Sequence, residues 1–386
     1  MDEGRMMGVA DTLLAALSGS LHPAVPAEHP VTAPDFAVKY EQKDITADIA
    51  PYLVSFSYTD YLGGQSDELQ LDFEDTDGRW LRTWYPEQGD TVSLSCGDQF
   101  TGQVSWGSFE IAEIEWQRSV RGGDTVSLKA LSTGITKSNR TLKAKAYENT
   151  TLAAIVRLVA KRLHLSVSGT VADIPIRRVT QYQERDVEFL TRLAAEYGHT
   201  FKIVGNTLVF ESRETLAGRD AAAVLLPENL TQIRLRDNIK NVPESVEVSS
   251  FDHRAKKTVR SSRKTRPRRK PRRTGKRQAT TTDTLKIVAR SGENQAQVDR
   301  RAQSALDNAQ DDKCAGSITL YGNALLVAGQ TVELARMGHF SGRYLVKQAR
   351  HDYSRLRGYT TELEVKMIEY IPETDEQEER QDAQTA

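Results

Sequence analysis

Gly107-Ser-Phe-Glu-Ile111, followed by Gly123-Asp-Thr-Val-Ser-Leu128, returns near the other end of the chain as Gly342-Arg-Tyr-Leu-Val346 followed by Gly358-Tyr-Thr-Thr-Glu-Leu363. Gly107, Phe109, Ile111, Gly123, Thr125 and Leu128 match Gly342, Tyr344, Val346, Gly358, Thr360 and Leu363 at one constant offset of 235. Upstream of each pair stands a related hexamer, Gly89-Asp-Thr-Val-Ser-Leu94 in the first half and Gly329-Gln-Thr-Val-Glu-Leu334 in the second. A turn glycine followed by alternating apolar residues is an ordinary strand start. The signal is the order in which the pieces recur. It predicts two copies of one β-barrel-like fold.

Outward from these stretches the hydrophobic period divides the chain. Leu69, Leu71 and Phe73 alternate with polar residues and end at the turn Asp75-Thr-Asp-Gly78, the pattern of a half-buried antiparallel strand. Residues 35–135 form the first β-barrel. The period then turns helical: Thr150 is placed to cap a helix carrying Leu152, Ile155, Val156, Val159 and Leu163 on one face. A second helix, about 184–197, ends at Gly198, and strands around 200–204 and 207–211 meet at Gly205-Asn206. Residues 136–228 are a small α/β module. Residues 229–372 are the second barrel, in which Ser245 to Phe251 is expected to correspond to Leu53 to Tyr58. An insertion at about 252–316 then replaces the short link Tyr61-Leu-Gly-Gly-Gln65 and holds a helix at 293–312. Residues 1–34, a short helix at 8–18 and a proline-rich linker, and residues 373–386, an acidic tail, flank these parts. The fold class is α+β and mostly β.

Length and composition, 386 residues with 38% hydrophobic and 27% charged, suit a multidomain protein with a real core. No apolar run approaches the roughly 20 residues of a membrane-crossing helix, so stable membrane insertion is not expected. Cys96 and Cys314 belong to no Cys-x-x-Cys pair and read as reduced packing residues. The seven histidines form no metal-ligand spacing, and His351-Asp352 reads as structural. Glu110, Glu113 and Glu115 on one β segment read as a solvated strand face. There is no nucleophile elbow or phosphate loop. The expectation is therefore no catalytic residue, no metal and no cofactor.

Several segments resemble the phage late control D family, the central hub of contractile-tail baseplates, which is related to the T-even phage hub and to the hub part of the type VI secretion spike protein. They are Asp44-Ile-Thr46, Leu69-Gln-Leu-Asp-Phe-Glu-Asp-Thr-Asp-Gly78, Gln181-Tyr-Gln-Glu-Arg-Asp-Val-Glu-Phe-Leu-Thr-Arg-Leu-Ala-Ala-Glu-Tyr-Gly198, and Gly338-His-Phe-Ser-Gly-Arg-Tyr-Leu-Val346 with the strand to Val365. The likeness covers about residues 36–370, and its middle helical part is the most specific. It implies tail-tube-like barrels and a homotrimer whose six barrels make a pseudo-sixfold ring. Such a ring joins the sixfold tail tube, or a tube-initiator protein, to the threefold spike protein. It also implies a virion location in the tail baseplate, assembly in the host bacterial cytoplasm, and transient passage of phage DNA through the lumen. A headless contractile bacteriocin would use the same hub.

One feature lies outside the resemblance. Residues 254–277 carry fourteen Lys or Arg and no acid, leaving −15 on the rest of a chain whose total is −1. Arg263, Lys264, Arg266, Arg268, Arg269, Lys270, Arg272, Arg273, Lys276 and Arg277 are the candidate partner-binding residues. Proline and arginine without large apolar residues cannot bury a core, so the run is expected to project as an arm. Carboxylates of baseplate wedge or sheath proteins, or the acidic residues Glu373 to Asp382 of a neighbouring copy, would pair with it. Nucleic-acid binding is the alternative, but no stacking aromatics interleave the run.

Overall fold

The repeated stretches become adjacent strands. The computed structural model describes residues 34–98, 102–120, 122–132, 141–238, 242–253, 256–265, 283–311 and 313–371; the expected helix at 8–18 and the acidic tail lie outside the described residues. The first β unit holds β1 (Asp35–Tyr40), β2 (Lys43–Asp44), a short helix α1 (Thr46–Ile49), β3 (Leu53–Tyr61), β4 (Glu68–Glu74), β5 (Thr91–Asp98), β6 (Gly102–Ser119) and β7 (Gly123–Leu131). Its strands lie side by side as β3-β4-β7-β6-β5-β1-β2. Alternation turns Leu69, Leu71 and Phe73 of β4 onto Phe56, Tyr58, Trp106, Phe109 and Leu128, and this apolar side is the core.

The α/β module follows: β8 (Lys143–Thr151), α2 (Leu152–Arg162), β9 (Ser166–Ser168), β10 (Pro175–Glu184), α3 (Asp186–Tyr197), β11 (His199–Val204), β12 (Thr207–Ser212) and α4 (Arg213–Ala217). The helix cap is Thr151 rather than Thr150: its hydroxyl accepts the Ala154 N–H at 3.3 Å. β8 runs on through Thr150, opposite Ile176, to Thr151, opposite Pro175, so the helix starts only at Leu152. Gly198 ends α3 at φ 74°, a left-handed conformation that glycine takes without strain.

The chain continues with β13 (Ala221–Leu225), β14 (Leu230–Asp237), β15 (Ser245–Asp252), β16 (Lys257–Lys264), β17 (Thr284–Val288), α5 (Gln295–Ala309), β18 (Cys314–Tyr321), β19 (Thr331–Leu334), β20 (Gly342–Ser354) and β21 (Gly358–Tyr370). The order β14-β18-β21-β20-β19-β13 repeats β3-β4-β7-β6-β5-β1 strand for strand. The register repeats as well. In β6·β7 the pairing steps from Ile111↔Ala130 to Glu113↔Lys129 across a bulge. In β20·β21 it steps from Val346↔Val365 to Gln348↔Glu364, each residue 235 further on. A second bulge separates Leu53↔Phe73 from Ser55↔Asp72, and its counterpart separates Leu230↔Leu320 from Gln232↔Thr319. Bulges re-aim a strand at a chosen point, so two of them at matched positions mark one fold used twice. The last strand differs: β1 runs antiparallel to β5, whereas β13 runs parallel to β19.

These registers correct one expectation. The counterpart of Leu53–Tyr61 is β14, not Ser245 to Phe251. The latter stretch is β15, which pairs with β16 and β17 in a separate three-stranded sheet. Val246 and Val248 alternate as in any half-buried strand, but the partner that covers them is the stripe Val298, Ala302 and Leu306 of α5. A helix and a sheet that bury each other's apolar faces make their own small core. The insertion therefore begins after Asp237, earlier than about 252, and ends where β18 starts at Cys314. It rests on the module: Arg301 of α5 pairs with Glu196 of α3 at 3.0 Å and with Glu293 at 2.6 Å, and Gln297 donates to the Tyr197 hydroxyl at 3.0 Å.

The two β units join edge to edge. β20 pairs antiparallel with β3 from Gln348↔Tyr61 to Ser354↔Ser55, making one sheet of 13 strands among the described residues.

Candidate functional site

Because one face of this sheet is core, the other is a continuous polar surface crossing both units. Register places Glu113, Lys129, Gln70, Ser57, Asp352 and Thr360 in one row, and Glu68, Thr59, Arg350, Glu362, Thr319 and Gln232 in the next. Asp72 accepts hydrogen bonds from Ser55 and Ser127, both at 2.7 Å, and Arg350 pairs with Asp352 at 2.9 Å. Carboxylates and neutral side chains predominate over cations in these rows.

A buried charged joint fixes the module to both β units. Lys202 of β11, inside the strand His199–Val204 whose every residue is buried, meets Asp60 of β3 and Asp67 at 2.9 Å. The second oxygen of Asp60 accepts the Ala328 N–H at 2.8 Å, which brings in the second unit. Asp67 accepts the Tyr61 N–H at 3.0 Å. Two carboxylates share one ammonium here. Burial pushes the Asp67 carboxyl up to about 7, while Lys202 draws it down and Asp60 adds repulsion. Burial pulls the Lys202 ammonium down, but the two carboxylates outweigh it and hold it above its ordinary value. Beside the joint the chain passes so close to β11 that a Cβ on Gly63 would lie 2.7 Å from the Phe201 carbonyl oxygen. Sequence reasoning missed this joint, since Asp60 and Lys202 are 142 residues apart. A lysine between Phe201 and Ile203 in an apolar strand was the available sign.

His351 is structural. Its ring stacks on Tyr58, its Nδ1 meets the Tyr359 hydroxyl at 2.9 Å, and its Nε2 meets the Leu326 carbonyl at 3.0 Å. Burial pushes its pKa down to about 3, so it stays neutral. Both cysteines are buried, and the Cys314 sulfur lies 3.9 Å from the Tyr344 hydroxyl. Of the arginine run, Arg263 and Lys264 close β16, opposite Val246 and Ser245, and Arg263 lies 4.0 Å from Asp299 of α5. Arg266, Arg268, Arg269, Lys270, Arg272, Arg273, Lys276 and Arg277 lie outside the described residues. The run thus leaves from the small insertion sheet and not from a strand of the second β unit.

A family model described as phage tail baseplate hub (GPD) matches residues 134–356, the module, the insertion and most of the second β unit. The chain belongs to this phage tail baseplate hub family. The probable baseplate hub protein of Escherichia phage 186 is 27% identical over 385 residues, covering 89% of this chain and 97% of that protein. The corresponding protein of Escherichia phage P2 is 31% identical over 179 residues, 46% of this chain and 45% of that one. Among solved structures, a tail protein from Neisseria meningitidis MC58 matches with TM-score 0.65 at 15% identity, covering 87% of this chain and 97% of that one. The 43 kDa tail protein of prophage MuSo2 from Shewanella oneidensis matches with TM-score 0.63 at 14% identity, covering 87% and 98%. At these identities the structures speak for the fold alone. The resemblance read from Gln181 to Gly198 and from Gly338 to Val346 falls within the family match, whereas the strand to Val365 and the stretches around residues 44–46 and 69–78 lie outside it. The hub family makes the chain a structural component of a phage tail baseplate.

Proposed function

We propose that three copies close into a ring in which the two β units alternate as six tube-like barrels. This ring joins the sixfold tail tube, or a tube initiator, to the threefold spike, and the phage DNA leaves through its lumen. Assembly takes place in the host cytoplasm. The observation that carries the reading is the repetition of strand order, register and bulges within one chain. A chain holding two near-equivalent units is what a threefold body needs to meet a sixfold one, and closed rotational symmetry is the norm for soluble assemblies. The polar sheet face supplies the lumen wall: acidic and neutral side chains would not hold a polyanion. No catalysis is needed for this role.

The arginine run serves as an arm that docks on carboxylates of wedge or sheath proteins or of a neighbouring hub copy. At the arm's base Arg263 lies 4.0 Å from Asp299 of the same chain, an arginine–carboxylate contact of the kind this reading calls for. Mass photometry of the purified chain tests the ring: trimers are expected, and a monomer or dimer as the largest species at every concentration would overturn it.

A further inference from the structure

The joint between the two units inside one chain specifies the joint between chains. β20 uses both of its edges from Gln348 to Ser354, one for β21 and one for β3. Its counterpart in the first unit is Glu113 to Ser119 of β6, at the offset of 235. Among the described residues this stretch pairs only with β7. The counterpart of β3 is β14, displaced by 177 from Leu53 to Leu230, and among the described residues it pairs only with β18. The first unit thus has the outer edge of β6 open where the second unit is occupied. The second unit has β14 open where the first is occupied.

We propose that β6 of one copy pairs antiparallel with β14 of the next copy, in the register that β20 and β3 show within the chain. This rests on the ring reading above and names its contacts. Carrying Arg350↔Thr59, His351↔Tyr58, Asp352↔Ser57 and Tyr353↔Phe56 across sets Glu115 opposite Arg236, Trp116 opposite Leu235, Gln117 opposite Arg234, and Arg118 opposite Ile233. Glu113 then lies diagonal to Arg236, and Glu115 diagonal to Arg234. Two acids on one strand meet two arginines on the other, in directly opposed and diagonal positions where side chains interact.

The burial pattern agrees. Phe56 and His351 are 1% and 0% exposed in the joint within the chain, whereas their counterparts Ile233 and Trp116 are 43% and 39% exposed. Pairing would cover both. It would also close two long strand edges, which soluble proteins rarely leave open because they template further pairing. The two joints are chemically distinct. Within the chain Arg350 and Asp352 face Thr59 and Ser57, while the joint between chains opposes glutamate and arginine. The difference favours a head-to-tail contact between unlike units, which closes a ring.

The test uses the full chain with Glu115→Cys and Arg236→Cys together; the native Cys96 and Cys314 are buried. Mild oxidation should give covalent dimers and trimers on a non-reducing gel. Glu115→Cys with Gln232→Cys, about 13 Å out of register, should give about tenfold less. In parallel, Arg236→Glu should raise the concentration at which trimers dissociate by about tenfold, and Glu115→Arg added to it should restore assembly, with unchanged circular dichroism throughout. Wild-type trimers combined with equal crosslinking by both cysteine pairs, or with no effect of charge reversal, would overturn the strand joint and leave the ring reading standing. Absence of wild-type trimers at every concentration would overturn both.

Discussion

Lys202 lies in the interior of β11 with Phe201 and Ile203 on either side, and its ammonium is the point at which module, first unit and second unit meet through Asp60 and Asp67. Burial pushes the Asp67 carboxyl up, and the excess negative charge left by one cation between two carboxylates adds to it, so that Asp67 holds its proton up to about pH 7. The sign of the pH dependence follows. The folded value lies above the ordinary 3.8, so the native state binds a proton that the unfolded chain releases. The resulting stabilisation is fully present below 3.8 and is lost as pH rises through 7, at up to about 1.4 kcal/mol per pH unit. Asp67→Asn keeps an acceptor for the Tyr61 N–H and carries no titrating proton. Its urea midpoint relative to wild type should therefore improve as pH is raised from 5 to 8. A constant difference across that range would show that Asp67 is ionised throughout.

At the scale of elements, the bulges make the strongest statement. Side chains alternate with period two, so slipping a strand by one residue sends its apolar set to the wrong face. The bulge at Lys347 lets Val346 face the core while Arg350 and Asp352 stay on the polar face, and Ala112 occupies the matching position in β6. Deleting Lys347 should therefore yield insoluble chain or lose the sheet signal in circular dichroism. Lys347→Ala, which keeps the backbone and the Leu62 N–H bond to its carbonyl, should leave the melting temperature within about 2 °C. Soluble, folded deletion protein would mean that the bulge does not hold the register.

For the whole molecule, the arginine run can be separated from the fold. The insertion core of Val246, Val248, Val298, Ala302 and Leu306 contains none of its residues, and the described part of the run ends at the base of β16. Deleting residues 266–277 should leave melting temperature and trimer formation unchanged while weakening incorporation into baseplates, scored by sedimentation of assembled tails. In the intact protein incorporation should weaken as salt rises, because paired surface charges are screened. Normal incorporation of the deletion would remove the arm from the docking scheme.

The sequence by itself determined the repeat, the mostly β class, the helices between the two β units and the hub resemblance. Each of these is written in local spacing: glycines where φ is positive, as at Gly123 and Gly358, apolar residues at period two in strands, and a stripe at helical period in α2. The tertiary structure alone decided which strand of the second unit corresponds to Leu53–Tyr61. Ser245 to Phe251 and Leu230 to Asp237 both alternate, and only the partner each one finds, α5 for the former and β18 for the latter, tells them apart. It also decided the Asp60, Asp67 and Lys202 joint and the two open edges. A carboxylate's partner 142 residues away, and an edge that lacks a neighbour, depend on how the chain returns upon itself.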